Sequence, residues 1–228
     1  MIEGVFVKRY KRFFVDVELS SGEIVTAHCV NTGRMTQCST PGAKVFISKS
    51  DNPKRKLKYT LEFIVVNNYP VMVNTIRTNR IVEDLLLSKK IIPPFKFENI
   101  RREVVYGQNR SKVDFLLEGE GYKYFLEVKN VTMTDNMTKA IFPDAVTKRG
   151  SKHILELLYE IEKGAKAGIL FAIERGECES FGVADMVDPE YGKLLREAKD
   201  KGLDIIPFKI EYDLNLNHIG GKVLTVDL

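Results

Sequence analysis

Long apolar runs are absent from this 228-residue chain. No stretch approaches the roughly 18 uninterrupted apolar residues that a membrane span needs, so no membrane partner is expected. Cysteine is scarce, three in all, too few for a disulfide framework in a chain of this length. The one suggestive grouping, His28-Cys29 with Cys38, lacks the second CxxC or HxxxH pair that a metal site would carry. It reads instead as buried cysteines beside a polar histidine. No internal repeat or low-complexity linker is visible. The first residues, MIEGVFVKRYKRFFVDVEL, alternate apolar and charged side chains and lack the apolar core of a signal peptide; the expectation is a cytoplasmic protein. What is present is a mixture 44% hydrophobic and 29% charged. That excludes disorder, collagen and coiled coil, and it suffices to bury a core in one large or two small domains.

Basic residues outnumber acidic ones by 35 to 31, and the excess is uneven. Residues 1–102 carry 18 Lys or Arg against 9 Asp or Glu, whereas residues 103–228 carry 17 against 22. A basic half beside an acidic half is the pattern of a polyanion-binding surface joined to an acidic, metal-holding site. Lys8, Arg9, Lys11 and Arg12 interleave with Tyr10, Phe13 and Phe14, and Lys54, Arg55 and Lys56 form a second cluster with Lys49 and Lys58. Charge runs more often serve only to keep a face solvated. Here the interleaved aromatics favour a nucleic acid, because phosphates take the cations while bases stack on the rings. The expected partner is DNA.

The first eighty or so residues read as strands and turns. Gly4–Leu19 alternates, Ser20-Ser21-Gly22 is a turn, and Glu23–Val30, Ala43–Ser48 and Leu57–Val66 have strand character around a loop at Asn31–Cys38. Several short strands in so few residues fit a small closed barrel of the OB-fold kind. After Pro70 the pattern changes. Thr78–Lys90 has helical spacing, with Asn79 as a cap candidate and Pro93-Pro94 as the stop. Strands are expected at Arg102–Tyr106, Val113–Glu118 and Tyr122–Asn130, and a helix at Ser151–Lys163. Ala167–Ile173 reads as a strand buried on both faces. A second helix opens at Asp188-Pro189 and ends at Gly202, before a strand at Leu203–Lys209. This is an α/β layer with a mixed sheet. The expected division is an all-β barrel over residues 1–76 and an α/β domain over residues 77–228. Val131–Gly150 shows no regular period, and long irregular segments tend to be functional or disordered.

Asp114 lies on one expected strand and Glu127-Val128-Lys129 on the next. Strand side chains alternate faces, so Glu127 and Lys129 emerge on the same side. A two-residue loop, Glu120-Gly121, sets Asp114 opposite Glu127. A three-residue loop sets it opposite Leu126 and sends Glu127 to the other face unless a bulge intervenes. In the first arrangement two carboxylates converge, and such a pair repels unless a cation sits between them. Hard oxygens around a dication with open water positions describe a Mg²⁺ or Mn²⁺ site for phosphate chemistry. Lys129 then orients the attacking water or stabilises charge on the phosphoryl oxygens.

An E-x-K tripeptide alone usually marks a solvated strand face. Its context here, an Asp on the preceding strand with flanking helices and a buried strand, resembles the restriction-endonuclease-like PD-(D/E)xK core. The pattern departs at the proline position, which is Val113. That resemblance implies catalytic roles for Asp114, Glu127 and Lys129, metal ligation by Asp114 and Glu127, and a further acidic ligand, for which Glu103 and Glu83 are candidates. Longer strings extend the likeness across nearly the whole chain: AHCVNTGRM from Ala27, TPG from Thr40, KRK from Lys54, VDFLL from Val113, LEVKNVT from Leu126 and FPDAVTKRGSKHILEL from Phe142. Together they resemble the sugar fermentation stimulation protein A (SfsA) family. The resemblance implies an N-terminal OB-fold, a PD-(D/E)xK-like second domain, DNA binding of little sequence preference, and a regulatory role in sugar metabolism.

Asn31–Met35 reads either as a loop presenting Arg34 to phosphate or as a turn that uses Gly33 for positive φ. Lys148, Arg149 and His153 fall at a helix start, where backbone N–H groups also attract phosphate; they are taken as further DNA contacts. Pro143-Asp144 either lines the site or caps a turn. Three function classes follow: a metal-dependent phosphodiesterase acting on DNA, a non-catalytic DNA-binding regulator on a vestigial nuclease fold, and an enzyme of a small sugar phosphate. The last needs a deep apolar pocket in place of a broad basic face.

Overall fold

The computed structural model describes all residues except 92–95, 120, 136 and 214. The Pro93-Pro94 stop and Glu120 of the expected turn therefore lie outside the described residues. In the N-terminal half, β1 (Ile2–Tyr10), β2 (Phe14–Leu19), β3 (Ile24–His28), β4 (Lys44–Lys49), β5 (Tyr59–Val66) and β6 (Tyr69–Met72) pair in the order β3-β2-β1-β4-β5-β6. Parallel pairing of Ala27 with Tyr59 and His28 with Thr60 joins β3 to β5 and closes five of these strands into a barrel. Alternation drives it: Val15, Val17, Val25, Ala27, Val45 and Ile47 point inward and are buried, while their neighbours face out. The expected continuous alternation over Gly4–Leu19 is instead a hairpin. Tyr10 opposes Phe14 across a three-residue loop, with Lys11 and Arg12 at φ 49° and 63°.

The second half begins with α1 (Thr75–Leu87). Its cap is Asn74, whose side chain accepts from the N–H groups of Ile76 and Arg77, worth about 1 kcal/mol over an uncapped end. Asn79, expected as the cap, lies one turn inside and is free for another role. A mixed sheet follows, ordered β15-β14-β12-β9-β8-β7. It comprises β7 (Asn99–Tyr106), β8 (Ser111–Gly119), β9 (Tyr122–Val131), β12 (Lys166–Ile173), β14 (Asp204–Tyr212) and β15 (His218–Val223). Its central pairs, β9–β12 and β12–β14, are parallel. That accounts for the near-continuous apolar run of β12, buried from Ala167 onward. β10 (Met133–Thr134), β11 (Lys139–Phe142), β13 (Ser180–Val183) and β16 (Thr225–Val226) make a small second sheet, so the segment expected to be irregular contains a short hairpin.

Helices cover both faces of the main sheet. α2 (Lys148–Glu162) and α3 (Pro189–Asp200) pack Ile154, Leu157 and Leu195 against Val113, Phe125 and Phe171. α3 opens on the Asp188 cap with Pro189 in its first turn. On the other face α1 packs Ile81, Val82 and Leu85 against Phe115, Leu126 and Val128. Phe63 and Met72 of the barrel belong to that second core, so apolar packing continues from barrel to sheet. Polar stitches add to it: Gln37 Nε2 donates to the Thr134 carbonyl at 2.9 Å, the Thr134 N–H donates back at 2.8 Å, and the Met35 N–H donates to Asp144 Oδ2 at 3.2 Å. Among the described residues no helix is long and apolar enough to cross a membrane.

Candidate functional site

The turn joining β8 to β9 sets the site. Gly119 opposes Tyr122 and Phe115 opposes Leu126, which is the two-residue register and brings Asp114 level with Glu127. The ladder stops there. The Val128 N–H donates at 2.8 Å to Asp114 Oδ2, a side chain taking the place of a strand carbonyl. Asp114 Oδ1 accepts from Asn79 Nδ2 of α1 at 2.7 Å. Glu127 Oε1 takes Lys129 Nζ at 2.6 Å and His153 Nδ1 of α2, while Glu127 Oε2 is buried without a hydrogen-bond partner. Glu103 falls level with Asp114 on β7, between the pairs Arg102–Phe115 and Val104–Val113, at a left-handed φ of 52°. That conformation costs a non-glycine residue about 1–2 kcal/mol.

Electrostatics separates the two carboxyls. Burial raises Asp114, the nearby Glu127 charge adds to it, and the Val128 N–H, the Lys129 charge and the Asn79 amide recover part, leaving it at about 6. Burial also pulls Glu127 upward, but Lys129 and His153 outweigh it and hold that carboxyl below its ordinary value. Opposite displacement of two neighbouring acids is what a shared low-dielectric site with one cationic partner produces. His153 is oriented by its other nitrogen. Arg149 Nε donates to Nε2 at 3.4 Å, which by the hydrogen-bond network leaves Nδ1–H to donate to Glu127.

These groups open into a cleft of about 1040 Å³ between barrel and sheet. Its barrel side carries Tyr10, Lys11, Arg12 and Arg34; its other side carries Asn79, Glu103, Asp114, Glu127, Lys129, Arg149 and His153. The expected cationic residues divide into three groups. Lys11, Arg12, Arg34 and Arg149 are exposed on the cleft. Lys8, Lys54, Lys56 and Lys148 are exposed but do not line it, and Arg55 donates to Thr60 Oγ1 at 2.9 Å. Arg9 and His153 also line the cleft, with their side chains bonded within the protein. The Arg9 guanidinium gives its hydrogen bonds to the carbonyls of Arg12, Asn31, Gly33 and Arg34, so it braces the 31–34 loop. His153 is 6% exposed and turned onto Glu127, because it falls on the face of α2 that packs against the sheet.

Gly33 is needed for space, since a Cβ there would meet Asp144 Oδ2 at 2.5 Å and Asn31 Oδ1 at 2.9 Å; the left-handed residue of that loop is Met35, at φ 55°. Asp144 lines the cleft and accepts from Met35. Cys29, Cys38 and Cys178 are all buried and free. Among the described residues no three His, Cys, Asp or Glu side chains gather as a metal cage. Sequence reasoning missed the role of Asn79. The only signal was that a polar residue recurs on the otherwise apolar inner side of α1.

Comparison with known proteins places these features in a family. Residues 7–73 match the model for the SfsA N-terminal OB domain, and residues 76–215 match the model for the sugar fermentation stimulation protein RE domain. A sugar fermentation stimulation protein homolog of Trichodesmium erythraeum is 49% identical over 223 residues, covering 95% of this chain and 88% of the relative. The homolog from Gloeobacter violaceus is 46% identical over 211 residues, covering 92% and 89%. In fold the chain is similar to Pyrococcus furiosus SfsA, solved in complex with Ca²⁺, at a TM-score of 0.91 and 24% identity over 100% of this chain and 96% of that one. With both of its domains matched and relatives near half identity along its length, the chain belongs to the sugar fermentation stimulation protein (SfsA) family.

Proposed function

We propose that this protein binds DNA with little sequence preference and hydrolyses its phosphodiester bonds at the Asp114–Glu127–Lys129 cluster with a Mg²⁺-type cation. The observation that carries the reading is the buried Glu127 Oε2, which has no hydrogen-bond partner and stands across the strand pair from Asp114 at the end of the basic cleft. A buried carboxylate oxygen left unpaired is costly, and a hard cation is the partner that chemistry supplies. Asp114 and Glu127 would hold it. Among the described residues two such carboxylates gather, so its remaining positions would be left to water and phosphate oxygens, as suits Mg²⁺. The Ca²⁺ of the Pyrococcus furiosus relative is a cation of the same hard class.

Such a cation, when bound, stabilises charge on phosphoryl oxygens and acidifies a water. The chain's own residues do the rest. Lys11, Arg12, Arg34 and Arg149 neutralise the phosphates of the strand entering the cleft. Lys129, fixed against Glu127, offers its ammonium to the attacking water or to the developing charge. Asn79 and the Val128 N–H hold Asp114 in one rotamer, and His153 does the same for Glu127. Phosphate contacts carry no base information, which fits the absence of sequence preference. Three buried, unpaired cysteines suit a reducing compartment and support a cytoplasmic location.

Among the described residues no third acid gathers with these two, which favours a second reading, a DNA-binding regulator whose acidic site is vestigial. The two part on one experiment. Purified protein is incubated with circular single-stranded DNA, plasmid and RNA in Mg²⁺ or Mn²⁺, beside Asp114→Asn and Glu127→Gln. The proposal expects metal-dependent cleavage that both variants lose while still binding DNA. No cleavage of any form by the parent overturns it in favour of the regulator.

A further inference from the structure

We infer that the cleft admits a single nucleic-acid strand, fed to the acidic cluster over an aromatic platform at the β1–β2 hairpin tip; this rests on the phosphodiesterase reading and names its substrate class. Three observations carry it.

The first is the hairpin. Tyr10 and Phe14 flank its loop, and their rings stack at 5.4 Å between centroids and 22° between planes. Tyr10 nevertheless remains 37% exposed and Phe13 at the tip 45%. Lys8 Nζ lies 5.6 Å from the Tyr10 ring, and Lys11 and Arg12 follow it in the chain. Exposed rings among cations are what unpaired bases stack on, whereas in a duplex the base faces are already covered. Tyr10, Lys11 and Arg12 line the same cleft as Asp114 and Glu127, so the platform leads to the acids.

The second is size. About 1040 Å³ matches the top of the roughly 300–1,000 Å³ range of pockets that enclose a drug-sized molecule. A short run of one chain fills such a volume. Glu127 at the inner end is 3% exposed. A phosphate on the outside of a rigid duplex does not reach so recessed a group, whereas a flexible single backbone does.

The third is that the opening is fixed. Gln37 is bonded in both directions to the backbone of Thr134, Arg175 Nη1 donates to Gln37 Oε1 at 3.3 Å, and Met35 is bonded to Asp144. These bonds tie the barrel loop on one wall to the segment on the other, and Arg9 of β1 clamps that loop. Moving the two walls apart would break them.

The test is equilibrium binding, by fluorescence anisotropy without divalent ions, of a labelled oligo(dT) of about 16 nucleotides, the upper end of what one OB fold covers, and of a blunt duplex of the same length. The expected result is tighter binding of the single strand. Tyr10→Ala and Phe13→Ala should each weaken it by about 5- to 150-fold, the range of one lost base stack, while Tyr10→Phe keeps the ring and the affinity. Both residues are exposed, and unchanged thermal unfolding of the variants shows that they fold. Equal affinity for duplex and single strand, or alanine variants that bind like the parent, overturns the inference. If metal-dependent cleavage is seen at the same time, preferring relaxed duplex plasmid over a single-stranded circle, the phosphodiesterase reading survives and only the single-strand assignment fails. If neither DNA is bound at low salt, both fail together.

Discussion

Glu174 tests how α1 and the main sheet are joined. It follows β12 directly, 1% exposed, where Tyr212 OH donates to its Oε2 at 2.6 Å and Thr78 Oγ1 of α1 to its Oε1 at 3.4 Å. Burial pushes this carboxyl from 4.5 up to about 8, and Tyr212, Thr78 and the more distant Arg77 offset only part of that. Tyr212 is itself raised well above 10, so it stays a donor throughout. The folded protein therefore keeps a proton that the unfolded chain gives up between pH 4.5 and 8. Stability from a group raised in this way is complete below the lower value and is lost as pH climbs through the upper one. At about 1.4 kcal/mol per pH unit across that interval, the loss approaches 5 kcal/mol. Glu174→Gln keeps the shape and still accepts from Tyr212, but it cannot ionise. Urea unfolding of parent and variant from about pH 5 to 9 is the assay. The two should nearly coincide at the acid end, and the variant should become more stable by a few kcal/mol at the alkaline end. Parallel curves across the range would refute the claim that the fold holds this carboxyl neutral.

Two further outcomes follow from the site. His153→Asn places an amide N–H where Nδ1–H stands and should keep a cation-induced rise in melting temperature close to the parent's. His153→Gln places its donor at the other ring position and should weaken Ca²⁺ or Mg²⁺ binding by about 10–100-fold, the usual effect of losing a group that orients a ligand; identical titrations of the two variants would mean that His153 does not orient Glu127. Arg9→Ala should lower unfolding stability by about 1–3 kcal/mol, because several loop carbonyls lose a charged donor. An unchanged melt with greatly weakened DNA binding would instead make Arg9 a phosphate contact.

How much of this was legible in the sequence depends on the length over which each pattern repeats. The buried run at 167–173, the amphipathic face of α2 and the Asp188-Pro189 opening of α3 each extend over several residues, so period or capping chemistry identifies them. The small second sheet does not, because β10 and β16 have two residues each and β11 and β13 four. Such strands carry no measurable alternation and exist only through their pairing. The hairpin at Lys11–Phe13 was hidden for another reason. Its loop has no glycine, and two basic residues adopt positive φ where Asn or Gly would have been the sign. Arg9 and His153 were legible as polar groups near the site but not as its scaffolding, since residue type is visible in sequence and the direction of a side chain is not.

The placing of Asp114 on β8 beside Glu127 on β9 follows from the turn between those strands. Side chains alternate faces with period two, so one residue more or fewer in that turn would move the partners of β8 by a single step. Glu127 and Lys129 would then lie out of register with Asp114, whose present neighbour on β9 bonds it through the Val128 N–H. The pairing that puts Leu126 and Val128 against α1 is the same pairing that turns Glu127 toward His153 of α2. Packing of the apolar face therefore fixes the chemistry of the polar one. The irregularities gather at this level of the sheet: the ladder stops at Phe115–Leu126, and Glu103 takes a left-handed backbone beside Asp114. Strained backbone persists where surrounding structure over-determines it. Here that structure is the regular sheet on one side and the Asn79, Lys129 and His153 bonds on the other, which together leave two carboxyl groups facing a basic cleft.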